Sequence, residues 1–90
     1  MPKPMRLEEA MMYCLVNEGR GLSVPQLTYL INRERLHCRK DGNPVTDEQV
    51  WACYFRNRHT FVWEGGIIHL VLKFLYHYPY SKGLYTYNDK

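Results

Sequence analysis

Residues 46–71 have the sequence TDEQVWACYFRNRHTFVWEGGIIHLV, and this stretch decides the fold that we predict for the chain. Thr46 and Gln49 form a capping box, in which each side chain bonds to a free backbone amide at the start of a helix. Apolar residues are frequent in the rest of this predicted helix. Residues 61–71 then contain two β-rich runs around a double glycine, which is typical of a hairpin. The stretch therefore predicts a helix followed by an antiparallel hairpin.

Two further helices are predicted before this stretch. Leu7 begins an apolar stripe at i, i+3, i+4 and i+7 spacing, which predicts a helix to about Val16 that ends at a glycine-rich turn. The other members of the stripe are Ala10, Met11, Cys14 and Leu15. Ser23 and Gln26 form another capping box, which predicts a second helix that ends near Glu34.

Three helices followed by a hairpin predict an α+β fold of the winged helix-turn-helix type, with the hairpin as the wing. We assign residues 1–71 to this domain and residues 72–90 to an aromatic C-terminal extension. Aromatic residues alternate at period two in the extension, which predicts a second hairpin. A short helix from Leu70 to Tyr76 is the alternative for the start of this extension.

Composition limits the classes of protein to which the chain can belong. With 46% hydrophobic residues the chain can pack a core, whereas it lacks the apolar run of about eighteen residues that a membrane helix needs. No secretory signal follows Met1, and three cysteines without a CxxC pair suit reduced thiols better than a disulfide framework. We therefore expect a cytoplasmic protein without a membrane partner. The net charge of +3 permits nucleic-acid binding but does not indicate it.

Residues 7–70 contain features of a known family. The first helix is followed by a glycine turn, and the other matching segments are Gly21-Leu22-Ser23, Gly42-Asn43-Pro44-Val45-Thr46, Phe61-Val62 and Gly66 to Leu70. In these features the chain resembles the HARE helix-turn-helix domain, a winged helix of some chromatin regulators, restriction enzymes and a bacterial RNA polymerase subunit. The resemblance covers roughly two-thirds of the chain. It implies the winged-helix fold and a tendency to bind duplex DNA.

DNA binding would use the third helix. In helix-turn-helix proteins the later helix enters the major groove and presents its N-terminal side chains to base edges. Gln49 can pair with adenine, Arg56 can pair with guanine, and the small Ala52 permits a close approach. Contacts with backbone phosphates are predicted for Thr46, Arg39, Lys40 and Arg58. The leading hypothesis is therefore a dimeric DNA-binding regulator of transcription or chromosome structure, with double-stranded DNA as its partner.

Apolar residues outside the core support a different hypothesis. Met12, Tyr13 and Val16 lie on the back of the first helix, away from its core stripe. The extension folds over this helix in one chain, or the two form an interface in a homodimer, since exposed apolar patches mark contact sites. The residues predicted for this interface are Met12, Tyr13, Val16, Phe74, Tyr76 and Tyr78. The alternative function is a protein-interaction domain that uses the wing and the extension without binding DNA.

Acidic residues give this alternative some weight. Asp47 and Glu48 put two carboxylates where DNA phosphates would approach the third helix, although acids in a first turn also stabilise a helix. Glu64 stands at the tip of the wing, where a basic residue would contact phosphate.

Catalysis and metal binding find little support in the sequence. The chain lacks a phosphate-binding loop, a nucleophile elbow and an HExxH motif, so we predict that it is not an enzyme. The potential metal ligands do not form the close pairs of structural zinc sites. They are His37, Cys38, Cys53, His59, His69 and His77. We therefore predict no metal and no cofactor.

Overall fold

A computed structural model describes residues 4–71 as three helices and one two-stranded antiparallel sheet. The elements are α1 (Leu7–Glu18), α2 (Val24–Arg33), α3 (Asp47–Arg56), β1 (Phe61–Glu64) and β2 (Ile67–Leu70). This α+β layout has the predicted order of elements and is compatible with a winged helix. The second hairpin predicted for the C-terminal extension, and the alternative helix there, lie outside the described residues.

Local sequence signals determine where the helices begin and end. The Ser23 hydroxyl accepts a hydrogen bond from the Gln26 amide at 3.2 Å, and the Gln26 side chain accepts one from the Ser23 amide at 2.9 Å. Thr46 and Gln49 make the same reciprocal pair at 3.2 and 3.0 Å. Both predicted capping boxes are thereby confirmed. Gly19 caps the C-terminus of α1, and its φ of 70° is the left-handed conformation that glycine adopts at low cost.

The hairpin turn depends on its two glycines. Gly65 and Gly66 have φ values of 60° and 82°, and Glu64 pairs with Ile67 on either side of them. A two-residue turn with positive φ at both positions matches the twist of the strands that it joins. The predicted double-glycine hairpin is confirmed.

All three helices and both strands contribute to one core. Four of the five residues of the predicted α1 stripe are buried, and Leu7 is partly buried. The buried hydrophobic residues are Ala10, Met11, Cys14, Leu15, Leu22, Leu27, Ile31, Val45, Val50, Cys53, Phe61 and Ile68. Removal of this apolar area from water is the main favourable term in folding.

A backbone bridge attaches the hairpin to the segment between α1 and α2. The Leu22 amide donates to the Ile68 carbonyl at 3.0 Å, and the Ile68 amide donates to the Leu22 carbonyl at 2.8 Å. Gly21 permits this approach, because a Cβ there would lie 2.5 Å from the His69 ring and from a methyl group of Ile67. The segment before α2 thus lies along the outer edge of β2.

The apolar residues of α3 cover a wider arc of the helix than the part that packs on the core. The sequence places Val50, Trp51, Cys53, Tyr54 and Phe55 on one broad arc, yet only Val50 and Cys53 are buried. Tyr54 is partly buried, whereas Trp51 and Phe55 are exposed. At about 100° per residue, Phe55 lies about 200° around the helix from Cys53, so one packed side cannot cover both. The core therefore covers only part of this arc.

Asn32 joins the end of α2 to the residue that precedes the α3 cap. Its side-chain oxygen accepts from the Val45 amide at 2.9 Å, and its side-chain nitrogen donates to the Val45 carbonyl at 2.9 Å. Val45 is buried, so both of its backbone polar groups depend on this one amide side chain. The bonds hold the loop between α2 and α3 against the core.

We expect Asn32→Ala to lower the free energy of unfolding by about 2 to 3 kcal/mol, because it leaves two buried backbone groups without partners. Chemical denaturation monitored by circular dichroism measures this change. Asn43→Ala is the matched control in the exposed part of the same loop, where we expect a change within about 0.5 kcal/mol. Equal effects of the two substitutions would contradict the assignment.

Candidate functional site

The most distinctive exposed feature is a cluster of aromatic side chains from α3 and β1, namely Trp51, Tyr54, Phe55 and Trp63, which we call the aromatic surface. The Trp51 ring stacks on Phe55 with centroids 6.1 Å apart and meets Trp63 edge-on at 5.5 Å. Tyr54 lies 5.3 Å from Trp51. The exposed fractions are 39% for Trp51, 54% for Phe55 and 45% for Trp63. These contacts make one continuous apolar area.

The backbone explains how these rings meet. Trp51 and Phe55 are four residues apart and therefore neighbours on α3. Trp63 pairs with the buried Ile68, so it lies on the core face of the hairpin. It is nearer the turn than the buried Phe61 and contacts the ring of Trp51 instead of the core. The sequence analysis does not predict this surface. The available signal is the helical wheel of α3, on which Phe55 lies too far from Cys53 for both to face the core.

Charges of opposite sign lie at the two ends of the aromatic surface. Asp47 and Glu48 are exposed in the first turn of α3, and within residues 4–71 neither makes an ion pair. At the other end, the Arg58 guanidinium lies 4.6 Å above the Phe55 ring, and Arg56 is exposed in the last turn. The arrangement follows the helix dipole, which favours acids at the start of a helix and bases at its end.

A shallow depression adjoins the acidic end. It has a volume of about 380 Å³ and lies between the first turn of α2 and the first turn of α3. Its lining consists of Val24, Pro25, Asp47, Glu48 and Trp51. The depression therefore combines apolar groups, one indole and two carboxylates.

Three of the residues predicted to contact DNA are bonded to one another. The Arg39 guanidinium donates to the Asp41 carboxylate at 2.6 Å, to the Pro44 carbonyl at 3.1 Å and to the Gln49 side-chain oxygen at 3.2 Å. That oxygen also accepts from the Thr46 amide, in the capping box. Thr46, Gln49 and Arg39 thus form a network that holds the loop at the start of α3.

The same network affects the ionisation of Asp41. A hydrogen bond from the Asn43 amide and the positive charge of Arg39 hold the pKa of Asp41 below its usual value. A carboxylate that stays charged can keep its ion pair with Arg39 in mildly acidic solution.

The remaining residues predicted to contact DNA lie apart from this network. Ala52 is partly buried, whereas Lys40, Arg56 and Arg58 are exposed. Within the described part of the chain, no ion pair involves any of these three basic residues. They can therefore bind an external anion without breaking an internal ion pair.

The back of α1 is exposed as predicted, since Met12, Tyr13 and Val16 point away from the core. Their interface role stays a prediction. The other residues predicted for that interface, Phe74, Tyr76 and Tyr78, lie outside the described residues.

The two buried thiols are unreactive, and the described residues do not form a metal site. Burial, with smaller contributions from Glu18 and Glu34, raises the pKa of the Cys14 thiol to about 11, and burial also raises the pKa of Cys53. Such thiols stay protonated and unreactive at neutral pH. Residues 4–71 contain no group of three or more acidic, histidine or cysteine residues that could hold a metal ion. In the same part of the chain, no helix has the length and apolar character needed to cross a membrane.

If Arg39 holds the loop, Arg39→Ala will lower the free energy of unfolding by about 1 to 2 kcal/mol, because three acceptors lose their donor. We expect Lys40→Ala, next to it and exposed, to change stability by less than about 0.5 kcal/mol. Thermal and urea unfolding of both variants measure the difference. An Arg39→Ala variant as stable as Lys40→Ala would instead leave Arg39 available for a phosphate.

Comparison of the chain with protein-family models, with curated proteins and with solved structures gives no match. The resemblance to the HARE helix-turn-helix domain therefore stays a prediction.

Proposed function

We propose that this chain is a winged-helix domain that binds another protein through the aromatic surface. The order of three helices and a hairpin supports the winged-helix assignment. The bridge between Leu22 and Ile68 supports it further, because it adds a short extended segment between the first two helices to the edge of the hairpin. The hairpin is then the wing, and Trp63 lies on its face toward α3.

The observation that carries the proposal is the exposure of three large aromatic side chains, in which the Trp51 ring contacts both Phe55 and Trp63. From the exposed fractions of Trp51, Phe55 and Trp63, the three together leave roughly 300 Å² of mostly apolar area in water. Patches of about 300–600 Å² are the largest on typical monomers and are often functional. At about 25 cal/mol per Å², covering this area would contribute on the order of 7 kcal/mol before the costs of association.

The chemistry of the outer side of α3 favours a protein partner over a DNA groove. Tryptophan, tyrosine and phenylalanine are enriched in the buried centres of protein interfaces, where a few such residues contribute most of the affinity. On this side of α3 the aromatic rings are next to the carboxylates of Asp47 and Glu48, which repel phosphates. The polar side chain of Gln49 is engaged in the capping network instead of being free to contact bases.

Duplex DNA is the second candidate partner, because Lys40, Arg56 and Arg58 are exposed and make no ion pair within residues 4–71. The resemblance to the HARE domain points the same way. In this case the basic end of α3 contacts the phosphate backbone, which contributes affinity without sequence specificity.

Selection from a library of random 16-residue peptides displayed on phage tests the first candidate. We expect the selection to yield peptides that bind the purified chain. Phe55→Ala should lower their affinity by at least about tenfold, because it removes a central contact of the proposed interface. Tyr29→Ala, an exposed aromatic residue on α2, is the matched control and should change the affinity less than about twofold. Failure to select any peptide, or equal affinity for Phe55→Ala and Tyr29→Ala, would contradict the proposal.

Titration of a labelled random-sequence duplex at two salt concentrations tests the second candidate. Binding through phosphates should weaken steeply with salt, and replacing Arg56 and Arg58 with alanine should reduce the slope of log K against log salt by about 2. Phe55→Ala should retain DNA binding. Absence of binding at low salt removes DNA as a partner, and an unchanged slope in the double variant removes α3 as the contact.

A further inference from the structure

We infer that the depression between the first turns of α2 and α3 binds a lysine or arginine side chain of the protein partner. The inference rests on the proposed function, because the depression adjoins the aromatic surface and shares Trp51 with it. A single peptide segment can therefore occupy both, with apolar residues on the aromatic surface and a basic residue beside them.

The lining of the depression suits both parts of a basic side chain. Lysine and arginine carry a charge on an apolar stem, and the stem packs on apolar groups while the charge stays near water or an anion. Val24 and Pro25 supply the apolar contacts on the α2 side. On the α3 side, Trp51 supplies an indole group, and tryptophan is the aromatic residue that attracts a cation most strongly.

The net charge of the depression selects the sign of its ligand. Asp47 and Glu48 carry two negative charges, whereas the N-terminus of α3 contributes only about half a positive charge. In residues 4–71 no lysine or arginine forms an ion pair with either carboxylate. The uncompensated negative charge attracts a cation and repels phosphate, which separates this ligand from a nucleic acid.

The size of the depression is adequate for such a side chain. Its volume of about 380 Å³ leaves room for a lysine or arginine side chain that lies along the surface. The site is open on one side, as a site for a side chain of an extended segment must be. It offers aromatic and acidic groups together, and either group alone would bind a cation more weakly.

The sequences of the selected phage peptides give the first test. We expect lysine or arginine to be enriched at one position next to apolar or aromatic positions. Replacing that residue of the peptide with norleucine, which keeps the apolar stem and removes the charge, should weaken binding to the unmodified chain by at least about tenfold. This measurement does not depend on any change to the protein.

Substitutions in the chain give the second test. The double substitution Asp47→Asn and Glu48→Gln should lower the affinity for the basic peptide about tenfold, and this loss should be larger at low salt than at high salt. The affinity for the norleucine peptide should not change. Glu34→Gln is the control, because it removes a carboxylate from the opposite end of α2, about 15 Å from the first turn. In nuclear magnetic resonance spectra, the indole N–H of Trp51 should shift more with the basic peptide than with its norleucine form.

Different results would overturn the inference and the proposed function. Peptides that lose affinity for Phe55→Ala but lack a preferred basic residue would overturn the inference and leave the proposed function standing. A basic peptide whose affinity is unchanged by Asp47→Asn and Glu48→Gln would also overturn the inference and leave the proposed function standing. If no peptide binds, or if none depends on Phe55, both the proposed function and the inference are overturned.

Discussion

The backbone bridge between Leu22 and Ile68 is the constraint on which the arrangement of the surface depends. Without it, the hairpin would be attached to the helices only through its own chain and its core side chains. The bridge fixes the position of β2 beside the start of α2, and the pairing of the strands then fixes β1. Trp63 is thereby held over Trp51, so a contact far along the chain positions the aromatic rings.

Local signals in the sequence predicted most of the elements, because their causes are local. The Ser23 and Thr46 capping boxes and the Gly65-Gly66 turn each involve residues within a few positions of one another. The bridge at Leu22 and the bonds between Asn32 and Val45 join residues that are distant in sequence, and no local pattern predicts them. A helical wheel likewise shows which residues of α3 share a side. It does not show how much of that side packs against the other elements.

The candidate site was harder to predict, because the same residue type can serve two purposes. A glutamine three residues after Thr46 can cap a helix or contact an adenine, and Gln49 bonds to Thr46 and Arg39. An arginine near a helix can bind phosphate or hold a loop, and Arg39 bonds to its own loop. For Trp51 and Phe55 the uncertainty concerns burial. An exposed aromatic residue on a helix has the same sequence pattern as a buried one.

If a partner covers the outer side of α3, its binding will affect the lifetime of the chain. Only Val50 and Cys53 of this helix are fully buried, whereas its exposed side carries the largest aromatic residues. A ligand that binds only the folded state stabilises it by about 2.7 kcal/mol at a hundredfold excess over its dissociation constant. Local opening of an element exposes it to proteases, and a bound partner suppresses that opening. The abundance of the domain in a cell would then follow the abundance of its partner.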